Sequence, residues 1–390
     1  MSQRSLALDI ICKSIGSDSY TNLLMRKKLM ELEPIQRPFV SNLVSGVLKE
    51  YDYLLFQVSD YLKTNTSLKN KVIIAMALYE RYYLDKEAYI NYEYVDLANK
   101  YDKAFINAIL RIEYEFKNGE EYINNSLPKW IYNLLAKQYN DEELNKILKN
   151  FKRVPVVYYR INHHKATFND FKDIEIINDD IFTSKQNLLN SNQFKQGMFY
   201  IEDINSSSLV KNIDLKKDDV LLDVCSAPGS KLFNCLDVVK PDNAYSNELH
   251  EHRLKLIEDR AKLLGYEGVH YLNLDGRILS DVLDVKFDKI LLDVPCSGLG
   301  TIGRKPDLKY HLKPESLDEL QTIQRELLKS CSKLLKEGGQ ILYSTCTLNK
   351  KENGKQVSSF LSEHEDFKLI KEETIINDYG DCFYYAVIKK

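Results

Sequence analysis

From Lys216 to the C-terminus, short apolar runs of strand length alternate with stripes at helical spacing, and that alternation constrains the fold more than any other feature of the chain. Asp219-Val-Leu-Leu-Asp-Val224 and Phe287-Asp-Lys-Ile-Leu-Leu-Asp293 have the apolar continuity of buried parallel strands. Between them, Leu254, Ile257, Ala261 and Leu264 line one helix face, stopped by Gly265. A second stripe, Ile323, Leu327, Leu328, Cys331, Leu334 and Leu335, is expected to end at Gly338-Gly339, with a further strand beginning at Gln340-Ile-Leu-Tyr343. Strands alternating with helices imply α/β architecture with a doubly wound parallel sheet.

The first half is built differently. Only Gly16, Gly46 and Gly119 occur in the first 190 residues, whereas twelve glycines lie between Gly197 and Gly380. Low glycine and apolar pairs at helical spacing (Leu43-Val44, Val47-Leu48, then Val72 to Leu84 and Ala104 to Ile112) predict an all-α N-terminal domain. The pattern breaks at Ser126-Leu-Pro-Lys-Trp130, and one more helix is expected to about Phe151. Val154-Pro-Val-Val-Tyr-Tyr-Arg-Ile161 reads as a strand, and the polar stretch from Asn162 to Lys195 as part of a small α/β linker subdomain. The chain therefore divides at 1–130, 131–215 and 216–390.

A composition of 44% hydrophobic and 28% charged residues is that of a folded chain. The longest apolar stretch, Val72 to Tyr79, is far short of the roughly 18 to 20 residues of a membrane span. The N-terminus shows no secretory h-region, so a cytoplasmic protein without a membrane partner is expected. Seven cysteines without a C-x-x-C pair predict reduced thiols and no metal site, with Cys12, Cys235 and Cys331 as buried structural thiols. The net charge of −3 gives no global nucleic-acid footprint, although a local basic stripe would suffice for binding.

In open α/β sheets, ligands bind outside the carboxyl ends of the strands. Four features fall there: the loop Cys225-Ser-Ala-Pro-Gly-Ser-Lys231, the acid Glu248, Asp293-Val-Pro-Cys296, and Thr345-Cys346. The loop matches neither G-x-G-x-x-G nor G-x-x-x-x-G-K-[ST], which favours a nucleoside ligand over a pyrophosphate. Glu248 stands about 20 residues past the loop, where a carboxylate accepts from ribose hydroxyls; from position alone a solvated surface acid is the slightly better reading. Asp275 could equally cap a helix or meet an adenine amino group. Cys296, set in a turn by Pro295, can act as a nucleophile if its thiolate is favoured over a reference pKa of about 8.5. A lone strand-end thiol such as Cys346 is more often structural, but two at neighbouring strand ends shift the balance toward chemistry.

Leu221-Leu-Asp-Val-Cys-Ser-Ala-Pro-Gly-Ser-Lys231, Leu291-Leu-Asp-Val-Pro-Cys-Ser-Gly298, Arg304-Lys-Pro-Asp307 and Tyr343-Ser-Thr-Cys-Thr347 with Glu352-Asn353 resemble, in order and spacing, the RsmB/Sun family of RNA cytosine-C5 methyltransferases. Asn42-Leu-Val-Ser-Gly-Val-Leu48 and Phe105-Ile-Asn-Ala-Ile-Leu-Arg111 resemble that family's NusB-like helical domain. The resemblance covers nearly the whole chain and is weakest between Asn162 and Phe194. It implies a class I, Rossmann-like methyltransferase domain and an RNA-binding helical domain, with the pairing of halves seen in bacterial 16S ribosomal RNA enzymes.

It further implies S-adenosylmethionine as donor, held by Cys225, Ser226, Ala227, Pro228, Gly229, Ser230 and Lys231, with Glu248 at the ribose, Asp275 near the adenine, and Asp293 between donor and base. Cys346 matches the family's nucleophile and Cys296 its product-releasing cysteine. These roles suit the chemistry, because cytosine C5 is too weak a nucleophile until a thiolate adds to C6. Arg304, Lys305 and Lys309, with Lys313, form a basic run expected at RNA phosphates. The helical domain, with 17 basic and 17 acidic residues through Trp130, is expected to read shape more than charge. A monomer acting on RNA, without metal, is expected.

Several positions depart from the family pattern. Ser230 stands where Gly is usual, Glu248 where Asp is, Glu202 where Gln is common, and Cys382 where Gly is frequent; Gly303 removes a bulkier, often basic, side chain. The rival readings are the same reaction on transfer RNA or another RNA, Cys296 as the nucleophile, and a non-catalytic RNA-binding assembly factor.

Overall fold

The computed structural model describes residues 2–17 and 19–390, which form two compact units. One runs to Lys152 and takes in 302–313; the other comprises 153–301 and 314–390. The boundary thus falls past residue 130: the helices Lys129–Ala136 and Asp141–Lys152, where the sequence suggests one, join the helical unit.

The helical unit is organised by the helix Leu68–Tyr83, buried at every position from Val72 to Arg81. A helix apolar on all sides belongs inside, and Gln3–Gly16 and Arg37–Gln57 pack on it through Leu6, Ile10, Leu43 and Val47. The two charged residues of that buried stretch, Glu80 and Arg81, are paired. Glu80 accepts from Arg4 Nε at 2.8 Å and from Tyr94, and Arg81 donates to the Leu110 carbonyl and Glu113, each at 2.8 Å.

The segment 302–313 corrects one expectation. Lys309 is only 3% exposed, and its ammonium donates to the carbonyls of Lys49 (2.9 Å) and Ser126. Burial lowers its pKa to about 8 against the opposing charges of Asp52 and Glu50. A cation spent on buried carbonyls does not reach RNA phosphates; Lys309 is an anchor of this unit. Tyr310 donates to the Leu48 carbonyl at 3.1 Å, and Asp307 accepts the Thr21 N–H at 2.8 Å. Gly303 is explained here too, since a Cβ would lie 2.6 Å from the Asn150 carbonyl oxygen. Arg304 and Lys305 are exposed.

The second unit holds two sheets. The small one, in order β2-β3-β1-β4, is antiparallel: β1 Tyr158–Ile161, β2 Ile174–Ile176, β3 Ile181–Ser184 and β4 Phe199–Ile201. Its core is aromatic, with Tyr159, Phe171, Phe182 and Phe199 packed at 5.0–5.6 Å between ring centroids. The strand starts at Tyr158 rather than Val154, because Val154, Val156 and Val157 find no partner strand and stay exposed.

The large sheet comprises β5 Leu221–Asp223, β6 Ala244–Asn247, β7 His270–Leu272, β8 Phe287–Asp293, β9 Leu335–Thr345, β10 Lys368–Ile375 and β11 Phe383–Lys389. Its order is β10-β11-β9-β8-β5-β6-β7, parallel from β7 through β9 and antiparallel at β11 and β10. The expected parallel sheet is present, with a C-terminal hairpin added at one edge. The helix preceding β9 ends at Lys333, not at the glycine pair. Gly338 takes a positive φ of 76° inside β9, which begins by pairing Leu335 with Phe287. After β6, Glu251–Leu264 ends as expected, with Gly265 at φ 93° donating to the Ala261 carbonyl.

Candidate active site

The chain passes from β5 outward through β6 to β7, then returns to place β8 on the other side of β5. That reversal is a topological switch point, the crevice where open α/β sheets bind ligands. The loop after β5 and the turn after β8 flank it, and a direct ion pair spans it: Lys231 Nζ lies 2.7 Å from Asp293 Oδ2. Asp293 Oδ1 accepts from Ser344 at the end of β9, also at 2.7 Å. Burial works against the Lys231 ammonium, but the charge and hydrogen bond of Asp293, then Cys346 and Glu202, leave its pKa raised. Asp223, fully buried at the end of β5, is pushed up to about 7 by burial and by the charge of Asp293.

The two site thiols stand on adjacent strand ends. Cys296 follows β8, Cys346 follows β9, and their sulfurs are 3.5 Å apart. The Cys296 pKa is raised well above the ordinary thiol value by the hydrogen bond with Cys346, then by burial and by the charges of Cys346, Glu352 and Asp293. The loops meet at Gly300, whose N–H donates to the Cys346 carbonyl at 3.0 Å; a Cβ there would press on the carbonyls of Cys346 and Cys382. Cys382 is buried, its thiol pushed up to about 12, mainly by desolvation, and structural.

Beneath the thiols lies Glu352, wholly buried. Its Oε1 accepts from Ser297 Oγ (2.6 Å) and Asn349 Nδ2 (3.1 Å), and its Oε2 from the Ser297 N–H (2.8 Å) and Gln324 Nε2 (3.0 Å). It thus joins the Cys296 turn, the Cys346 loop and the helix Pro314–Lys333. The only signal in the sequence for this role is the position of Glu352, six residues after Cys346. Asn247, also unnoticed, ties three strand ends together: its amide donates to the carbonyls of Val224 (2.9 Å) and Leu274 (3.1 Å) and accepts from Leu274 N–H at 3.1 Å.

On the β6 side, Glu248 is 4% exposed, not the solvated acid that position alone favours. Its Oε1 accepts from His250 N–H (3.1 Å) and Arg253 (3.3 Å), whereas Oε2 accepts nothing among the described residues. An oriented carboxylate with an open oxygen fits a ribose hydroxyl, and Arg253 also reaches the Ala227 carbonyl at 3.3 Å. Gly229 takes φ 102°, and a Cβ there would meet the Phe233 ring at 2.6 Å, so the loop needs glycine at that turn. The Cys225 thiol, pushed up mainly by burial, packs into the core with Val224 and Cys331 nearby. Asp275 caps the turn Gly276–Ile278 and holds Arg277 at 2.6 Å; those hydrogen bonds keep its pKa low. The open oxygen of Glu248 and the glycine turn at Gly229 fit a nucleoside ligand. Arg304 and Lys305 lie in the segment grouped with the other unit.

Glu202 departs from the family pattern in a way the surroundings explain. Both carboxyl oxygens are buried without a hydrogen bond among the described residues, and desolvation raises the pKa to about 8 despite Arg160 and Lys231. The neutral acid has the shape of glutamine. With the folded pKa near 8 and the ordinary value at 4.5, the folded state binds the extra proton, so stability falls as pH rises between these values. Glu202→Gln is expected to raise the unfolding midpoint, with a gain that grows from about pH 4.5 to about pH 8 and then levels. Thermal unfolding of both proteins across that range checks it; a pH-independent difference would contradict it.

A model described as "16S rRNA methyltransferase RsmB/F" matches residues 210–382, and a NusB family model matches residues 1–113. "Probable ribosomal RNA small subunit methyltransferase B" of Bacillus subtilis (strain 168) is 31% identical over 400 residues, covering 94% of this chain and 90% of that protein. The protein described in the same words from Synechocystis sp. (strain ATCC 27184 / PCC 6803 / Kazusa) is 28% identical, covering 94% and 91%. The crystal structure of PH0851 superposes with a TM-score of 0.81 at 20% identity over 100% of this chain and 99% of that one. NSun6 from Pyrococcus horikoshii, solved with SFG, gives 0.59 at 20% identity, over 67% and 98%. Both structures share the fold. No helix among the described residues is long and apolar enough to cross a membrane.

Proposed function

The chain belongs to the 16S rRNA methyltransferase RsmB/F family, whose methyl donor is S-adenosylmethionine, and on that premise we propose that it methylates C5 of a cytosine in small-subunit ribosomal RNA through a transient Cys346–C6 bond. The observation that carries this reading is the thiol pair, 3.5 Å apart, beside the Lys231–Asp293–Ser344 cluster at the switch point.

The donor, when bound, supplies an electrophilic methyl group. The chain does the rest. The open oxygen of Glu248 holds ribose hydroxyls, and the loop from Cys225 to Lys231 holds the remainder of the ligand. Asp275 would have to release Arg277 to take an adenine amino group. The raised pKa of Cys296 disfavours its thiolate, and the Lys231 ammonium favours that of Cys346. The thiolate adds to C6, and the electron pair displaced toward C5 makes that carbon nucleophilic. Asp293, fixed from two sides by Lys231 and Ser344, positions the edge of the ring and offsets the negative charge that addition places there by sharing a proton with N3. After methylation the C5 proton passes to a base, the C5=C6 bond re-forms, and the S–C6 bond breaks to return the Cys346 thiolate. A water takes the C5 proton, and Cys296, as a thiol beside the departing sulfur, donates a hydrogen bond to it as it leaves. The target base must be unstacked to reach the thiol.

Incubation with radiolabelled S-adenosylmethionine and unmodified small-subunit ribosomal RNA, followed by digestion to nucleosides, is expected to give labelled 5-methylcytidine. Label in transfer RNA alone would preserve the chemistry and change the substrate. Donor binding without transfer to either RNA, or to partly assembled subunits, would favour an assembly factor.

A further inference from the structure

Apart from the active site, the helical unit carries a cavity of about 580 Å³ between the segment Ala88–Leu97 and the helix Lys103–Leu110. Two phenol rings at its edge, Tyr89 and Tyr92, are 62% and 61% exposed, far more than packing residues would be. Three polar groups in its wall are unspent. Asn91 is 9% exposed; its amide donates to the Leu110 carbonyl at 2.7 Å, while its buried Oδ1 has no partner among the described residues. The half-buried Asn107 side chain and the exposed Arg111 guanidinium likewise make no hydrogen bond or ion pair among those residues. The acid in the wall, Asp96, is neutralised by Lys103 at 2.7 Å.

Flat rings, free amides and one uncompensated cation are the groups that bind an unpaired nucleotide: stacking for the base, amide hydrogen bonds for its edge, and charge for the phosphate. The volume lies within the range of small-ligand pockets. We infer that this cavity holds a single unpaired nucleotide of the RNA, stacked on Tyr89 or Tyr92, with Arg111 at its phosphate. The inference rests on RNA being the substrate, but it concerns binding and not methyl transfer.

The test is a fluorescence-anisotropy titration of the full chain, without donor, with a labelled single-stranded oligoribonucleotide of mixed sequence at several salt concentrations. The double variant Tyr89→Ala/Tyr92→Ala should bind about 10-fold more weakly with an unchanged salt slope. Tyr89→Phe/Tyr92→Phe, which keeps the rings, should bind as the wild type does. Arg111→Gln should reduce the slope of log K against log salt by about 0.7. Unchanged affinity in the alanine double variant would overturn the inference and leave the cavity to a peptide or to no ligand. Equal loss in the phenylalanine variant would overturn the stacking. Because no methyl is transferred, failure here leaves the proposed reaction standing, and failure of the reaction leaves this measurement readable.

Discussion

A Cys346→Ala variant is expected to lose methyl transfer by on the order of 10⁴-fold or more, and to form no denaturation-resistant complex with RNA containing 5-fluorocytosine. Fluorine at C5 blocks the elimination that frees the enzyme, so the base traps whichever cysteine has added to C6. The two thiols are 3.5 Å apart, and distance alone does not separate them. The charged partner does: the Lys231 ammonium interacts with Cys346. The Cys296 pKa is raised by its bond to Cys346, by burial and by nearby charges including Glu352, and a thiol that keeps its proton is a poor nucleophile. Cys296→Ala should therefore still form the fluorocytosine adduct, and on ordinary cytosine RNA it should accumulate protein bound to methylated RNA, because release is the step it loses. Electrophoresis under denaturing conditions reads both results. An adduct from Cys346→Ala together with none from Cys296→Ala would assign the nucleophile to Cys296 and reverse the two roles.

The strand ends were legible because they are local. A run such as Leu291-Leu-Asp293 followed by a Pro-Cys turn carries its own length, apolar continuity and stop signal, and the structure places it as β8 with Asp293 at its carboxyl end. The same locality explains Gly265, where one residue with positive φ closes one helix. Errors arose where an element depends on a distant partner. Val154 to Val157 have strand composition but no neighbouring strand to pair with, and remain exposed. Gly338-Gly339 look like a helix stop, yet they lie inside β9, because pairing between Leu335 and Phe287 starts that strand before them.

Charge misled for a related reason. Lys309 belongs to a basic run in sequence, but its ammonium is taken up by carbonyls of residues 49 and 126, more than 180 positions away. Glu248 and Glu352 were underrated in the same manner: an acid is mostly a surface residue, and only the converging donors show otherwise. Asp275 presents the opposite case. Its place at a strand end allows both a cap and a ligand contact, and the cap is the geometry that its own chain supplies.

Glu352 supports the second large expectation. Four donors reach its two oxygens, two to each, so the side chain acts only as an acceptor and has no position left over. Glu352→Ala removes the acceptor on which four donors converge and leaves the buried Ser297 N–H without a partner, and should destabilise the catalytic unit by about 3–5 kcal/mol. Glu352→Gln keeps the shape but turns an NH₂ toward groups that are themselves donors, so it should still cost about 1–3 kcal/mol. The chain's one tryptophan, Trp130, lies in the helical unit, which makes its fluorescence a poor reporter of this loss. Hydrogen exchange at the Ser297 amide, which donates directly to Glu352, is the suitable one, and protection there should fall in both variants. The loop carrying Cys346 and the turn carrying Cys296 are joined through this carboxylate, so the glutamine variant should also lose methyl-transfer rate while retaining affinity for S-adenosylmethionine, because the loop Cys225 to Lys231 proposed to hold it makes no bond to Glu352 among the described residues. Full protection at Ser297 with an unchanged rate in Glu352→Gln would show that the two thiols are held in register by the strands alone.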